Sequence, residues 1–306
     1  MRIAILLVAW NERENASCVL ESLEAQSFRD FETILVDDGS HDGTADMVRE
    51  RFPWVKLIAL PAHTGFTHTN NLAAAAAEAP LLFVLNTDTQ LPEDCLAHLD
   101  KAADTYGRYQ IFSPQMIRFD KRDTVDCKGM TWQPSLTARI IDQGAAVDDG
   151  EQSAEVFGAT GGAMLLRREV YEAIGLFDDA LYFNNEDVDF CLRAYAAGFR
   201  TLYLPWVRVF HRRSPNQKKM PDKVHHLIQR NMEAAAYKNV PLPVWLTHGP
   251  VHAAYNLFQV LKHRHEGRAM LTLKAKRDAI ALARTLTRKP MDTADMLSII
   301  GRNRLD

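Results

Sequence analysis

The chain has 306 residues, of which 47% are apolar and 25% charged, a composition typical of one large globular domain or of one domain with an extension. No apolar run approaches the roughly 20 residues that cross a bilayer, so we expect a cytoplasmic protein. The net charge of −3 conceals an asymmetry, because residues 1–200 hold 17 Lys and Arg against 32 Asp and Glu, whereas residues 201–306 hold 19 against 7. The basic last third predicts contact with an anionic partner, or else a solvated helical surface.

The first hundred residues alternate between strand and helix patterns. Residues 3–10 form a continuous apolar run that leads directly into polar residues without a cleavage site, which indicates a buried strand and not a signal peptide. Further strands are predicted at residues 33–36, 55–60 and 81–85, and helices at residues 16–25, 45–51 and 70–79, with another opened by Pro92. This alternation predicts a parallel sheet with right-handed crossovers.

The later part of the chain has a different pattern. Residues 105–166 are less regular and predict mixed strands, followed by a helix at 184–198 and two short strands at 201–204 and 207–210. Beyond residue 215 the sequence predicts basic, amphipathic helices. The cysteines lack CxxC spacing and indicate neither a disulfide framework nor a zinc site; three of them are expected to be buried thiols, Cys18, Cys95 and Cys191.

Polar residues follow each of the first four predicted strands, at residues 10–11, 37–40, 63–65 and 86–88. One such cluster is explained by ordinary turn chemistry. Four clusters at the same edge of a parallel sheet favour a ligand-binding crevice, because ligands bind outside the carboxyl ends of the strands.

The expected ligand carries phosphate, but neither GxGxxG nor GxxxxGK[ST] is present to cradle it. A divalent cation held by a carboxylate would neutralise phosphate instead, and Asp88 is the natural candidate. Acids also surround the start of the helix near residue 186, where Glu186 or Asp187 could serve as a general base. Asp189 has the spacing of a structural ion pair with Arg193.

Together these stretches resemble family 2 glycosyltransferases of GT-A fold, and within them the rhamnosyltransferase-like branch. The resemblance covers residues 3 to about 214, and it rests on the following segments in order: VAWNERENASCVLESLEAQ, ILVDDGSHDGTADMV, TGFTHTNN, LLFVLNTDTQLPED, FGATGGAMLLRREVYEAIGLFDDALYFNNEDVDFCLR and VFH. It implies a mixed, mainly parallel α/β sheet flanked by helices in residues 1–215, with a helical extension in residues 216–306.

The resemblance also implies roles for the matching positions. The nucleotide-sugar site would comprise Trp10, Asn11, Asp37, Gly65, Asn70, Asn71, Asn86 and Asp88. Asp88 and His211 would hold Mg²⁺ or Mn²⁺ at the diphosphate. Asp187 would be the catalytic base that deprotonates an acceptor hydroxyl, with inversion at the anomeric carbon.

The implied donor is dTDP-rhamnose, because an NxD form of the metal motif is typical of that branch, and a UDP-sugar is the alternative. Two departures from the family pattern, Asp38 and His63, fall in the nucleotide region. The implied acceptor is a cell-surface glycan or a lipid-linked sugar at the inner face of the membrane, and no nucleic acid partner is expected. A nucleotide-sugar-binding module without catalysis and a nucleotidyltransferase are the competing interpretations.

The basic extension contains an apolar stripe in residues 270–288, which consists of Leu271, Ala275, Ala279, Leu282 and Leu286. This stripe predicts either a helix lying on an anionic membrane surface or one packed on the catalytic domain or a second subunit. Residues 244–261 allow the same two interpretations, so the oligomeric state stays open.

Overall fold

The computed structural model describes residues 1–147, 150, 152–212 and 221–301. Its first part alternates strands and helices as predicted: β1 (Ile3–Ala9), α1 (Arg13–Glu24), β2 (Phe31–Asp37), α2 (Thr44–Arg51), β3 (Lys56–Ala59), α3 (Phe66–Ala76), β4 (Leu81–Asn86), β5 (Thr89–Gln90) and α4 (Cys95–Thr105). The predicted boundary between residues 215 and 216 lies outside the described residues.

Three helix starts differ from the prediction by three residues or more, and the first of these is α1, which begins at Arg13 and not at residue 16. Helix α3 begins at Phe66 and not at residue 70, because the Asp38 carboxylate accepts hydrogen bonds from the backbone N–H groups of Thr64 and Gly65 and orders the loop before it. Helix α4 begins at Cys95, since the segment opened by Pro92 first makes a turn in which Cys95 N donates to Pro92 O at 3.1 Å.

The rest of the chain adds the strands β6 (Ile111–Arg118), β7 (Val125–Cys127), β8 (Met130–Trp132), β9 (Ala138–Ile140), β10 (Ala154–Val156), β11 (Ala163–Arg167) and β12 (Thr201–His211). The helices are α5 (Arg168–Ile174), a short 3₁₀ helix (Asp179–Leu181), α6 (Glu186–Ala196), α7 (Asp222–Asn239), α8 (Leu242–His265), α9 (Ala269–Thr285) and α10 (Thr293–Ile299).

The main sheet has the strand order β10-β12-β6-β11-β4-β1-β2-β3, with β5 paired to β12 and β7 to β6. Strands β4, β1, β2 and β3 run parallel, whereas β11 is antiparallel to both β4 and β6. The expectation of a mixed α/β sheet with a parallel core and flanking helices is therefore confirmed. Because β1, β2 and β4 are parallel, their carboxyl ends lie at one edge of the sheet.

Strand β12 is one long strand and not the predicted pair of short ones. It pairs with β6 on both sides of a register shift between Leu204 and Arg208. Pro205 interrupts the apolar pattern there, because proline has no N–H to donate to the ladder. The strand resumes its pairing after the shift, and this carries His211 to a position opposite Thr89 of β5.

Two apolar clusters cover the two faces of the sheet, and β1 shows why. Its odd-numbered residues, such as Ile5 and Leu7, face a cluster shared with α1, α2 and α4. Its even-numbered residues, such as Leu6, face a cluster shared with α3, α6 and α7. A strand that is buried on both faces contains a continuous run of apolar residues, and such a run identified β1 in the sequence.

The C-terminal helices pack onto the second cluster through Ala235, Ala236 and Val244. Of the stripe predicted on residues 270–288, Ala275 and Ala279 are fully buried, and α9 packs against α7. The packing interpretation therefore applies to that stripe. Within residues 1–147, 150, 152–212 and 221–301, no helix combines the length and the apolar character that crossing a membrane requires.

The four cysteines are free thiols. Cys95 and Cys191 are buried as expected, but Cys18 is half-buried, because it lies at the edge of the face that α1 turns toward the sheet.

Candidate active site

A cavity of about 450 Å³ opens at the carboxyl ends of β1, β2 and β4, where the polar clusters were expected to meet. Its lining combines polar groups from the strand ends with apolar groups from the first turns of α7: Val8, Trp10, Glu12, Asp38, His63, Phe66, Asn86, Thr87, Asp88, Tyr182, Phe183, Pro221, Lys223, Val224 and Leu227. Three predicted site residues, Trp10, Asn86 and Asp88, are thus part of the cavity wall.

Trp10 forms an aromatic stack at the cavity mouth. Its ring lies 4.1 Å from the ring of His63 at an interplanar angle of 16°, and 49% of the residue is exposed. The edge of Tyr182 approaches the same imidazole, with ring centroids 5.8 Å apart. Such a group of rings offers a planar surface on which a nucleobase can stack.

The two departures from the family pattern are partners in space. His63 Nδ1 lies 2.7 Å from Asp38 Oδ2, and the same carboxylate accepts hydrogen bonds from Thr64 and Gly65. The buried Asp38 carboxylate is therefore held jointly by the His63 imidazole and by the loop residues that follow it.

Asn11 and Asp37 do not line the cavity themselves, although each is next in the chain to a lining residue, Trp10 and Asp38 respectively. Asn11 has a left-handed backbone (φ 53°), and its Oδ1 accepts a hydrogen bond from His41 N at 2.8 Å. Asp37 is 2% exposed and accepts a hydrogen bond from Ser40 N at 3.3 Å. Its other oxygen, Oδ1, has no hydrogen-bond partner in the described part of the chain. This oxygen is a polar group at the strand end that a bound ligand could satisfy.

Gly65, Asn70 and Asn71 shape the wall indirectly. A β carbon on Gly65, whose φ is +109°, would lie 2.5 Å from the Tyr182 ring, so only glycine lets that ring close over the loop. Asn70 is buried and donates to Phe66 O. Asn71 accepts from Phe177 N at 3.0 Å and donates to Asp179 Oδ1 at 2.6 Å, which fixes the segment leading to Tyr182.

Asp88 and His211, the two residues that the resemblance implied as metal ligands, lie side by side at the end of β4. His211 Nε2 lies 3.2 Å from Asp88 Oδ2, and Asp88 Oδ1 is buried without a hydrogen-bond partner among the described residues. A third residue that sequence reasoning missed completes the group, since Asp126 Oδ2 lies 2.6 Å from His211 Nδ1. No motif marks Asp126, because it comes from β7, which reaches the site only through pairing with β6.

These carboxylates set the protonation of His211. Burial alone would lower the pKa of its imidazole, but the hydrogen bonds and charges of Asp126 and Asp88 outweigh burial and raise the pKa to about 9. The imidazole is therefore cationic at neutral pH between its two acids, and a metal ion would have to displace its proton.

Glu12 is a further cavity residue that the sequence analysis did not select. Its carboxylate accepts a hydrogen bond from Thr87 Oγ1, in the middle of the Asn86-Thr87-Asp88 segment. Burial, with a contribution from the charge of Asp88, raises the pKa of Glu12 above its usual range. The only sequence signal was its place directly after β1, where turn chemistry was an adequate explanation.

Asp187 lies at the start of α6, and the loop before β11 holds its side chain. Asp187 Oδ2 accepts hydrogen bonds from Gly161 N at 3.0 Å and Thr160 Oγ1 at 3.1 Å. The next residue of that loop, Gly162, accepts a hydrogen bond from Asn86 N at 3.0 Å. Two adjacent glycines therefore join the acid of α6 to the end of β4. Burial raises the pKa of Asp187, although these hydrogen bonds oppose the shift.

The neighbouring acids have distinct environments. Glu186 is 6% exposed, and burial together with the charge of Asp187 raises its pKa to about 8. Asp189 is fully buried and contacts Arg193 at 2.8 Å and Lys238 at 3.0 Å, as its spacing from Arg193 predicted. Asp187 is the acid whose carboxylate adjoins the glycine loop, and it alone of the three is partly exposed.

The fold and the site define a class of protein, the glycosyltransferases of GT-A fold. More specifically, residues 4–175 match the family model "Glycosyl transferase family 2". Because this match spans more than half of the chain, the protein belongs to glycosyl transferase family 2.

Two curated relatives are rhamnosyltransferases. The N-acetylglucosaminyl-diphospho-decaprenol L-rhamnosyltransferase of Mycobacterium tuberculosis is 24% identical over 246 residues, which cover 72% of this chain and 78% of that protein. The rhamnosyltransferase WbbL of Escherichia coli is 23% identical over 223 residues, or 68% of this chain and 83% of that protein.

Among solved structures, GalNAc-T7 with UDP, GalNAc and Mn²⁺ superposes with a TM-score of 0.65 at 16% sequence identity. The alignment covers 79% of this chain but only 48% of GalNAc-T7. The similarity confirms the GT-A fold that the sequence motifs implied.

Proposed function

We propose that this enzyme is an inverting glycosyltransferase that moves a sugar from a nucleoside-diphosphate sugar to a hydroxyl of a cell-surface glycan or a lipid-linked acceptor. One observation carries the proposal. The hydrogen bonds of the Gly161–Gly162 loop connect the Asp187 carboxylate to Asn86 on the wall of the cavity. A base is thereby held beside a pocket large enough for a nucleotide.

In the proposed reaction the acceptor hydroxyl oxygen attacks the anomeric carbon of the donor. The bond between that carbon and the diphosphate oxygen breaks, and the nucleoside diphosphate leaves from the opposite face. The hydroxyl proton passes to Asp187 Oδ1 or Oδ2. Burial helps this step, because the raised pKa makes Asp187 a stronger base than an exposed carboxylate.

The donor site would use Trp10 and the His63 ring for base stacking, with Asp37 and Asn11 ordering the loop beneath them. Gly65, Asn70 and Asn71 would act by holding Tyr182 over the pocket. We favour dTDP-rhamnose as donor, since both rhamnosyltransferases described above align with more than two thirds of this chain. A UDP-sugar is the alternative, because GalNAc-T7 contains UDP.

The residues present fit a divalent cation, Mg²⁺ or Mn²⁺. The buried Asp88 Oδ1 lacks a partner among the described residues, and His211 Nε2 faces the other oxygen of the same carboxylate. In the part of the chain that the structure describes, no three His, Cys, Asp or Glu side chains form a metal-binding group. Asp88 and His211 would therefore be the protein ligands, with diphosphate and water supplying the rest. A bound cation would stabilise the charge on the leaving diphosphate.

The proposed activity also requires an acceptor and a place where the enzyme meets it. We place the acceptor at the inner face of a bacterial membrane, in line with the decaprenol-linked substrate in the name of the mycobacterial relative. The catalytic unit would comprise residues 1–215, with residues 216–306 as an extension that also closes the donor pocket through α7.

The test has two parts. Calorimetric titration with dTDP, UDP and GDP, each with and without Mg²⁺ or Mn²⁺, identifies the nucleotide, and preference for dTDP makes dTDP-rhamnose the donor to use. Release of nucleoside diphosphate is then measured with acceptor for the native enzyme and for Asp187→Asn. We expect Asp187→Asn to bind nucleotide normally and to lose about 10²- to 10⁴-fold in turnover.

The matched control is Asp94→Asn, at an exposed acid before α4, which should retain full turnover. Full turnover by Asp187→Asn would overturn the assignment of the base. Binding of nucleotide with neither transfer nor hydrolysis in the native protein would favour a binding module, and release of pyrophosphate would favour a nucleotidyltransferase.

A further inference from the structure

Exposed apolar side chains are concentrated on two helices of the extension. Nine of the fifteen large hydrophobic residues that are exposed in the described part of the chain lie in α8 and α9. Leu242, Leu246, Leu257 and Leu261 of α8 are between 51% and 73% exposed. Isolated exposed leucines are ordinary, but a group of this size on adjacent elements indicates a surface that contacts something else.

The exposed leucines of α8 form a continuous stripe. At about 100° per residue, the four of them fall within an arc of about 100°. The buried residues Val244, His252 and His263 lie on the other side of the helix. There His252 Nε2 contacts Glu233 Oε2 of α7 at 2.8 Å. The apolar stripe therefore faces away from the rest of the protein.

Helix α9 presents its outer side in the same way, but with added positive charge. Its buried residues, Thr272, Ala275 and Ala279, face α7, whereas Leu273 and Ile280 are exposed on the opposite side. Lys274, Arg277 and Arg284 are exposed between and beside them. Both outer sides are directed away from α7, and together they form what we call the α8–α9 outer face.

The charge of the α8–α9 outer face indicates which kind of partner it binds. Residues 242–288 contain eight Lys and Arg but only two acids, Glu266 and Asp278. Asp278 is already bound by His226 at 3.0 Å. A second copy of the chain meeting this face symmetrically would bring the same cations together, which is unfavourable. An anionic lipid bilayer buries the leucines in its interface, and its phosphates pair with the cations.

We infer that the α8–α9 outer face binds the surface of an anionic lipid bilayer, with α8 lying in the interfacial plane. The inserted side chains are the leucines of α8 and the apolar residues of α9. Arg264, Arg277 and Arg284 contact lipid phosphates. On α9 this surface differs from the apolar stripe that the sequence suggested, because Ala275 and Ala279 of that stripe are buried. Helix α8 contains residues 244–261, for which the sequence left the membrane and packing interpretations open.

Helix α7 connects the two helices that carry this face to the donor cavity. Lys223 and Leu227 of α7 line that cavity, and Glu233 of the same helix binds both His252 of α8 and Lys276 of α9. Leu227 and Glu233 are six residues apart, or about 9 Å along the helix axis. Binding to lipid needs neither donor nor base, so the inference does not depend on the proposed reaction, although it suits a lipid-linked acceptor.

Flotation of the full-length protein with vesicles tests the inference. One set of vesicles is pure phosphatidylcholine, and the other contains 30 mol% phosphatidylglycerol, each at low and high salt. We expect binding to the anionic vesicles alone, weakened by salt. The double variant Leu246→Ser/Leu257→Ser should lower partitioning about tenfold or more. Arg277→Glu/Arg284→Glu should lower it by a similar factor.

Arg49→Glu is the matched charge control, because Arg49 is an exposed arginine of α2 in the catalytic part, and it should bind vesicles like the native protein. Circular dichroism and the thermal unfolding midpoint of each variant confirm that the fold is intact, whether or not the protein binds nucleotide. Equal flotation of native protein and face variants would overturn the inference, as would absence of binding to anionic vesicles. A dimer in ultracentrifugation that Leu246→Ser/Leu257→Ser abolishes would also overturn it, by assigning the face to a second copy.

Discussion

Asp126 Oδ2 lies 2.6 Å from His211 Nδ1, and the opposite nitrogen of that imidazole lies 3.2 Å from Asp88 Oδ2. The imidazole is thus held between a carboxylate of β7 and the carboxylate of the proposed metal site. A carboxylate on the far nitrogen of a metal-binding histidine fixes the ring orientation and increases its basicity. In the proposed metal site, Asp126 would therefore be a positioning residue for the cation, acting through His211.

The first prediction concerns Asp126→Asn. We expect the affinity for Mn²⁺ in the presence of nucleoside diphosphate to fall about 10- to 100-fold, because the imidazole loses its orienting carboxylate. Titration calorimetry measures this affinity directly, with metal-free nucleotide binding as an internal reference. Asp123→Asn, at an exposed acid three residues earlier, is the control and should bind Mn²⁺ normally. Unchanged affinity in Asp126→Asn would remove Asp126 from the metal site.

The second prediction is a pH dependence that originates from Glu186. Its pKa is about 8 in the folded protein against an ordinary 4.5. Below about pH 4.5 both the folded and the unfolded states carry the proton. Between pH 4.5 and 8 only the folded state retains it, so the free energy of unfolding falls as pH rises, by at most about 5 kcal/mol.

Glu186→Gln should abolish that contribution, because an amide resembles the protonated acid at every pH. Urea unfolding at pH 5, 6, 7 and 8 measures the difference. We expect the variant and the native protein to be similar in stability at pH 5, and the variant to be the more stable at pH 8. Parallel stability curves for the two proteins would show that Glu186 is ionised in the fold.

The third prediction concerns the buried charges behind α6. Asp189 is fully buried between Arg193, Lys238 and Asn239, so Asp189→Asn leaves Arg193 without its carboxylate and leaves Lys238 with Asp178 alone, at 2.7 Å. We expect the free energy of unfolding to fall by about 3 to 5 kcal/mol. Asp222→Asn removes the exposed partner of Arg268 and should change stability by less than about 1 kcal/mol. Similar losses in the two variants would contradict the structural role of Asp189.

The fourth prediction concerns Gly65→Ala. The new β carbon would meet the Tyr182 ring at 2.5 Å with a φ of +109°, so we expect a loss of about 2 kcal/mol in stability together with weaker nucleotide binding. Gly175→Ala also has a positive φ, of +68°, but has no atom within 4 Å to collide with. This variant should lose about 1 to 3 kcal/mol of stability, from backbone strain alone, and should bind nucleotide normally. Normal nucleotide binding by Gly65→Ala would show that the Tyr182 ring is not part of the donor site.

The sequence by itself determined the α/β order, the mixed sheet and the family. Strands buried on both faces, such as β1, produce continuous apolar runs, and parallel strands bring their polar ends to one edge, so short-range patterns suffice to locate the crevice. The same reasoning correctly paired Asp189 with Arg193, because residues four apart on a helix are neighbours whatever the fold.

Only the tertiary structure decided which side chains meet across the chain. Asp126 reaches His211 through strand pairing, His63 reaches Asp38 between two loops, and Gly161 links Asp187 to the end of β4. These contacts join residues 25 or more positions apart, and no local periodicity encodes them. The outward face of α8 also depends on tertiary structure. The sequence shows an apolar helix, but only packing against α7 and α9 determines which side of it is left exposed.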